Sequence, residues 1–404
     1  MSTHHKTYEP KNEATATSQT NALMVYLIAL GAFALGMASY VTAGLIPMIE
    51  PAFGVSAGVA AQLVTAFTLA YGLGSPIVVA LLPGQAQRKG LLVALGLFVL
   101  ANAASALSTS FSWLLVFRAL AGIGSGVYLA VGIAAVATIS PFGRAKAISI
   151  IMGGMAAGTV LGVPLGLVLA ERLGWASAFW LITLLGIIAF VGLFWRLPTL
   201  PISESIPLRK KMSLLLDRQV IMILSVSLLA AIASLGMYTF LAPLMSASAY
   251  GGVDSITPYL WIWGVGGIVG SFLVGPLTDR IRAPLTTLFI MLILALSLML
   301  LPLIASWNAW FAMVPIVIWG AVGWALQVPQ NNQLIDVRES KGDGNLAVAL
   351  NESALYLGSA IGAGIGGMVL VLNLPVWTLP VGAGIVAAIG AFLQLMGMRY
   401  HKAS

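Results

Sequence analysis

Twelve long apolar stretches follow one another from Ala22 to Met398, and basic residues gather in every second gap between them. No motif constrains the fold as strongly as this pattern does. A run of ~20 apolar residues crosses a bilayer as a helix. Short connections rich in Lys and Arg stay on the cytoplasmic side. With the N-terminus placed there, all but two of the 19 Lys and Arg residues fall on that side. Arg172 lies opposite, and Arg118 lies inside a span. The charge pattern therefore predicts twelve helices, their orientation, and both chain ends in the cytoplasm.

The backbone argument agrees. In lipid every N–H and C=O must be satisfied within the protein, which leaves helices or a closed barrel. A barrel needs alternating segments of ~10 residues, and these runs do not alternate. Only 8% of residues are charged, against about 25% in soluble domains. The net charge of +7 suits loops facing anionic lipid, so no nucleic-acid partner is expected. The chain has no cysteine, which excludes disulfide and thiol chemistry. His4, His5 and His401 all sit in the tails, so no metal site is expected, and no cofactor. There is no Gly-x4-Gly-Lys-Ser/Thr loop for nucleotide phosphates.

The predicted spans cover residues 22–47, 57–82, 90–107, 111–138, 146–170 and 175–195. A second set covers 219–246, 256–277, 285–304, 309–332, 345–371 and 376–398. Residues 1–21 are polar and read as a disordered cytoplasmic tail. Residues 22–196 and 218–398 read as two six-helix bundles, and 399–404 as a short tail. Between the bundles, residues 197–217 carry three prolines and the Arg209-Lys210-Lys211 cluster, as a cytoplasmic linker would. The halves echo each other. Gly154, Gly158, Gly162 and Gly166 recur every four residues in span five, and Gly358, Gly362 and Gly366 do so in span eleven. That step places each set on one helix face, where bare Cα atoms admit a close neighbour. These faces are expected to be where the two bundles meet.

Several segments resemble the major facilitator superfamily, specifically its twelve-span drug:proton antiporter branch. They are Gly158-Thr-Val-Leu-Gly-Val-Pro164-Leu-Gly166, Leu114-Leu-Val-Phe-Arg118-Ala-Leu-Ala-Gly122 and Gly275-Pro-Leu-Thr-Asp279-Arg280. Tyr238-Thr-Phe-Leu-Ala-Pro243 and Ala349-Leu-Asn-Glu352-Ser-Ala-Leu-Tyr356-Leu-Gly358 look like the bacterial exporters of arabinose, purine nucleosides and chloramphenicol. The resemblance implies an all-α integral membrane protein of two pseudo-symmetric six-helix bundles. It implies a monomer in the bacterial inner membrane. Gly158, Gly162, Pro164 and Gly166 would pack the gate, and Arg88, Lys89, Asp279 and Arg280 would secure its loops. This sequence departs from the pattern twice. Gly84 stands where the family's loop carries an acid, and Ser39 stands where related exporters carry a Glu.

Ionisable residues inside spans default to functional hypotheses because they are expensive there. Arg118 resembles the motif arginine linked to proton transfer; a structural arginine bonded to helix carbonyls or a carboxylate is its other reading. With Ser39 lacking a carboxylate, Glu352 is the proton-carrier candidate, unless it is an ordinary hydrated carboxylate of the vestibule. A substrate site belongs near the midplane between the halves. By depth its candidates are Met37 and Tyr40 in span one, Tyr128 in span four and Tyr238 in span seven. Trp324 and Gln327 in span ten, and Asn351 and Tyr356 in span eleven, complete the set. Aromatic and Met side chains suit partly apolar ligands, and each residue singly also fits helix packing. The expected partners are a small-molecule substrate, protons and lipid. The leading expectation is a proton-driven exporter of a drug-like compound. A sugar or nucleoside exporter and an uncoupled facilitator stand beside it, and the chain is not expected to be an enzyme.

Overall fold

The computed structural model describes residues 11–81, 87–139, 144–198, 214–338 and 344–403. Twelve helices within them are long and apolar enough to span a membrane. In chain order they are α1 (Ala22–Phe53), α2 (Ala57–Val79), α3 (Gln87–Ala106), α4 (Phe111–Val136), α5 (Lys146–Leu173) and α6 (Ala176–Arg196). The second half holds α7 (Arg218–Thr239), α8 (Thr257–Thr278), α9 (Ala283–Trp307), α10 (Ala309–Arg338), α11 (Leu346–Val371) and α12 (Thr378–Arg399).

Helix ends differ from the expected ones where local chemistry extends or stops them. The helix containing α1 begins at Lys11, so part of the expected disordered tail is helical backbone. Extending an existing helix adds one hydrogen bond per residue without a new nucleus, and Glu13, Ala14 and Ala16 favour it. The helix of α12 likewise runs on to Ala403, into the expected C-terminal tail. Of the expected linker, residues 199–213 lie outside the described residues. Gly174, at φ 89°, ends α5, in a left-handed backbone region that other residues avoid.

Prolines shape the spans from inside. Proline lacks the N–H that would bond the carbonyl four residues back. In α2 a π-helical turn, Ala70–Gly74, comes just before Pro76. In α5 the π-helical turn Gly158–Gly162 comes just before Pro164, at the same offset. In both turns the next residue bonds five back instead, Ser75 to Ala70 and Val163 to Gly158. Pro243 acts more strongly. The expected continuous span 219–246 is broken at Phe240, and a short helix, Leu241–Ser246, follows. Pro329 matches a break in α10 at Leu326.

The glycine stripes do not join the two bundles; they knit each bundle internally. Gly154, Gly158 and Gly162 face α1, where a Cβ on Gly158 would strike the Phe33 carbonyl. Gly358 and Gly362 face α7 in the same manner, with Gly362 placing a Cβ 2.7 Å from the Gly236 Cα. The paired arrangement follows the pseudo-symmetry of the halves, since α1 corresponds to α7 and α5 to α11. Four-residue spacing marks a close-packing face but does not say which helix packs there. The halves meet instead through α2 against α11 and α5 against α8. Along the first seam Gly58 abuts Gly367, and Gly72 abuts the Ser353–Leu357 backbone.

At the basic end of the second half, Asp217 caps α7 by accepting from the Gln219 N–H at 3.0 Å. It also accepts from Arg338 Nη1 at 2.8 Å, which ties the start of α7 to the end of α10. Partial burial alone would raise the Asp217 carboxyl. The hydrogen bonds from Gln219, Val220 and Arg338 outweigh that and hold it below its ordinary value. A depressed carboxyl stabilises the fold above its unfolded pKa and loses that effect as pH falls through its folded pKa.

Two outcomes follow for thermal unfolding of the purified protein. Gly158→Val should destabilise by about 1–3 kcal/mol through overpacking, whereas Gly153→Ala, with no atom within 4 Å of its Cβ position, should leave the melting temperature unchanged or higher. Asp217→Asn should lower it at neutral pH, and the gap from wild type should close as pH drops below the carboxylate range. A gap independent of pH would refute the ion-pair account.

Candidate functional site

Between the halves lies a cavity of about 550 Å³, within the size range of small-molecule sites. Its walls come from the basic-end halves of α5, α8, α10 and α11, from the middle of α7, and from Tyr40 of α1. The prolines that break α5 and α10 stand beside it. Thr159 and Val160 of the α5 π turn line the cavity, as do Trp324, Leu326 and Gln330 around the α10 break.

Aromatic rings close its inner end. Tyr40 meets Tyr238 edge-on at 5.4 Å between centroids, and Tyr238 lies 4.5 Å from Trp263. Trp263 in turn contacts Trp324 and Trp319, and Trp319 donates to Ser234 Oγ at 2.8 Å. At the side, Tyr71 from the α2 π turn stacks on Tyr356 at 3.5 Å and 15°. The Tyr356 and Ser39 hydroxyls stand 3.5 Å apart, so Ser39 reaches across the α1–α11 boundary. Further out, Glu171 Oε1 accepts from Ser255 Oγ at 2.7 Å and Thr257 Oγ1 at 3.2 Å, fastening α5 to the start of α8. The end opposite the basic loops is thus held shut by rings and by this carboxylate.

Six expected site residues share the main cavity: Tyr40, Trp324, Gln327, Asn351, Glu352 and Tyr356. Tyr238 lies beneath it in the ring cluster. Met37 and Tyr128 do not line it. Met37 packs against Gly162 and Gly166, and the Tyr128 hydroxyl donates to the Ile28 carbonyl at 3.1 Å. Glu352 is half-buried and is the one formally charged side chain among the described residues lining the cavity. It has no hydrogen bond or ion pair among the described residues, and it lies within electrostatic range of the Tyr40, Tyr71 and Tyr356 hydroxyls.

Arg118 is fully buried and away from the cavity. Its Nη2 donates to the Ala38 carbonyl at 2.6 Å and its Nη1 to Asn102 Oδ1 at 3.4 Å. The guanidinium sits over Phe67 and Phe179, 4.4 and 5.3 Å from their centroids. No carboxylate pairs with it among the described residues. Arg118 thus bonds a helix carbonyl beside Ser39, while its Nε has no hydrogen-bond partner. Arg88 donates to the Leu197 and Phe194 carbonyls at 2.7 and 3.0 Å, closing the end of α6 within its own half. Lys89 and Arg280 are exposed. The Asp279 side chain and Gly84 lie outside the described residues.

Ser227 and Thr159 line the cavity and were not singled out from sequence. Ser227 Oγ, both amide atoms of Gln330 and, on the expected residue Asn351, Oδ1 have no hydrogen-bond partner. Asn351 Nδ2 is occupied by Asn331 at 2.8 Å. Buried polar groups are ordinarily paired, so unpaired ones around one cavity point to a ligand that completes them. Spacing offered one usable signal: Gln330 follows Gln327 by three residues, which puts both on one helix face. Nothing marked Ser227 or Thr159 apart from other small polar residues of apolar spans.

The family model of the Major Facilitator Superfamily matches residues 28–363. The chain belongs to the major facilitator superfamily. Among curated relatives, this superfamily member is 31% identical over 388 residues to an uncharacterized transporter, YbcL, of Bacillus subtilis, covering 95% of this chain and 98% of that one. It is 29% identical over 373 residues to the inner membrane transport protein YdhP of Escherichia coli, covering 92% and 95%. A chloramphenicol resistance protein of Streptomyces lividans is 28% identical over 263 residues, covering 64% of this chain and 67% of that protein. Among solved structures, a bacterial homolog of the human lysosomal transporter Spinster, inward-facing and unoccupied, superimposes with a TM-score of 0.73 at 17% identity. It covers 94% of this chain and 97% of the other, and it shows a shared fold.

The unpaired amide yields a direct test. Leaving a buried amide unpaired costs about 1–3 kcal/mol. Gln330→Leu should therefore raise the melting temperature of the ligand-free protein, read by differential scanning fluorimetry. A fall instead would mean that Gln330 is already satisfied in the apo state.

Proposed function

We propose that this major facilitator protein is a secondary active transporter exporting a small amphipathic compound from the cell in exchange for protons. The observation that carries this reading is the cavity between the halves, apolar-walled, with one carboxylate and closed opposite the basic loops. If those loops face the cytoplasm, as their charge predicts, the structure is inward-facing. Rocking of the halves would then open the ring-closed end and shut the basic end. Met152, Met155, Trp324 and Phe272 supply adaptable apolar contact, while Gln327, Gln330 and Asn351 orient polar groups of the ligand. Glu352, in a wall of tyrosines and without a fixed partner, is the group proposed to take up and release the proton. The kinship with a chloramphenicol resistance protein and with inner membrane transport proteins supports an exporter in the inner membrane, acting as a monomer and not as an enzyme. A sugar or nucleoside cargo is the second reading, favoured by the unpaired amides and hydroxyl of the wall.

Reconstitution into proteoliposomes with an imposed pH gradient, and a panel of drugs, pentoses and nucleosides, tests this. Wild type should show substrate-dependent proton movement. Glu352→Gln should lose gradient-driven accumulation while keeping downhill exchange. Unchanged gradient-driven export in that variant would reject Glu352 as the carrier. Dependence on ATP would reject the transporter class.

A further inference from the structure

The two seams between the halves are not equally closed. The α2–α11 seam is shut from Gly58 down to Tyr71 and Gly72, where Tyr71 stacks on Tyr356. Along the α5–α8 seam, packing concentrates on Gly158–Leu173, with Val160 against Gly264. Nearer the basic end the helices part. Gly153 has open space around its Cβ position. Phe272 and Ile268 are 78% and 38% exposed, yet both line the cavity. A residue that faces both the outer surface and an internal cavity marks a gap in the wall. Gly153 lies about 10 Å along the helix from Lys146, by the rise per residue. The hydrocarbon core is ~30 Å thick, so the gap opens within one leaflet, on the basic side.

Polarity grades inward from that gap. Its lip is apolar, made by Ile268 and Phe272. The deeper wall holds the unpaired Ser227 Oγ, Gln330 amide and Asn351 Oδ1, with Glu352 beside them. We propose that the gap is a side portal through which an amphipathic molecule dissolved in the basic-side leaflet enters, polar end first. Its apolar body then stays among hydrocarbon-like groups throughout, while its polar end reaches partners that are otherwise unmade. The polar end is uncharged or cationic, because the single charge among the described residues of the cavity wall is a carboxylate and an anion would face it unscreened. A wholly water-borne solute gains nothing from an apolar lip. This inference rests on reading the cavity as a transport site, but its test measures access alone.

The chain has no cysteine, so Ser227→Cys provides a single thiol deep in the cavity for a bimane fluorophore. The labelled protein goes into phosphatidylcholine nanodiscs, some of whose lipids carry a nitroxide on the acyl chain. Iodide in the buffer reports access from water. The acyl-chain nitroxide should quench the bimane. Adding Gly153→Trp or Ser271→Trp at the lip should cut that quenching by at least half and leave iodide quenching unchanged. A bimane at Leu273→Cys, on the lipid-facing side of α8, should be quenched equally with or without the lip variants. If Gly153→Trp fails to fold, Ser271→Trp carries the comparison. Quenching by iodide alone, or lipid quenching that neither lip variant lowers, overturns the portal. Should the portal hold while proteoliposomes move no substrate, the transport reading falls and the access route stands.

Discussion

The backbone hydrogen bond, in a medium that offers no substitute for it, governs this structure. Lipid leaves an unpaired N–H or C=O with no partner, so each crossing is helical. Breaks are tolerated where protein or water can answer them. Those in α2, α5, α7 and α10 each fall close to a proline, Pro76, Pro164, Pro243 and Pro329, and each faces the junction of the halves. Two become π turns that present Tyr71 to Tyr356 and Thr159 to the cavity. The departures from regular helix thus lie where the chain needs irregular surface.

The same constraint divides rigid contacts from mobile ones. Within each half, glycines let α5 lie on α1 and α11 lie on α7 with backbone against backbone. Such surfaces cannot slide without collision, which makes each half stiff. Between the halves such backbone contact recurs along the α2–α11 seam, at Gly58 and Gly72, but the other contacts are of another kind. Ring stacks, the Glu171 hydrogen bonds and the Ser39–Tyr356 approach are side-chain contacts, which rotamer changes can break. Under the proposed rocking of the halves, these side-chain contacts are the ones that would have to open.

Burial costs are also distributed unevenly. Arg118 is deep, but carbonyl, amide and ring partners surround it. Polar atoms remain unmatched on the cavity wall, at Ser227, Gln330 and Asn351, and also at Trp263 Nε1 in the ring cluster and at Arg118 Nε. Those on the wall give up stability where a ligand could restore it.

Charge placement and apolar length alone were enough to read twelve spans, their grouping in two halves, and Tyr40, Trp324, Glu352 and Tyr356 as residues near the centre. These properties are local: span length depends on hydropathy, and depth on counting residues from a helix end. Which face of a helix looks where depends on its neighbours, and that was not legible. Met37 and Tyr128 have the right depth but turn into their own bundle, and the glycine stripes meet α1 and α7 rather than the other half. Ser227 became visible only once α7 was rotated into place. The sequence by itself determined that this chain crosses a membrane twelve times and which end of each helix carries charge. Tertiary packing decided which side chains share the cavity, which seam closes and which gapes, because rotation about a helix axis is settled by contacts distant in the chain.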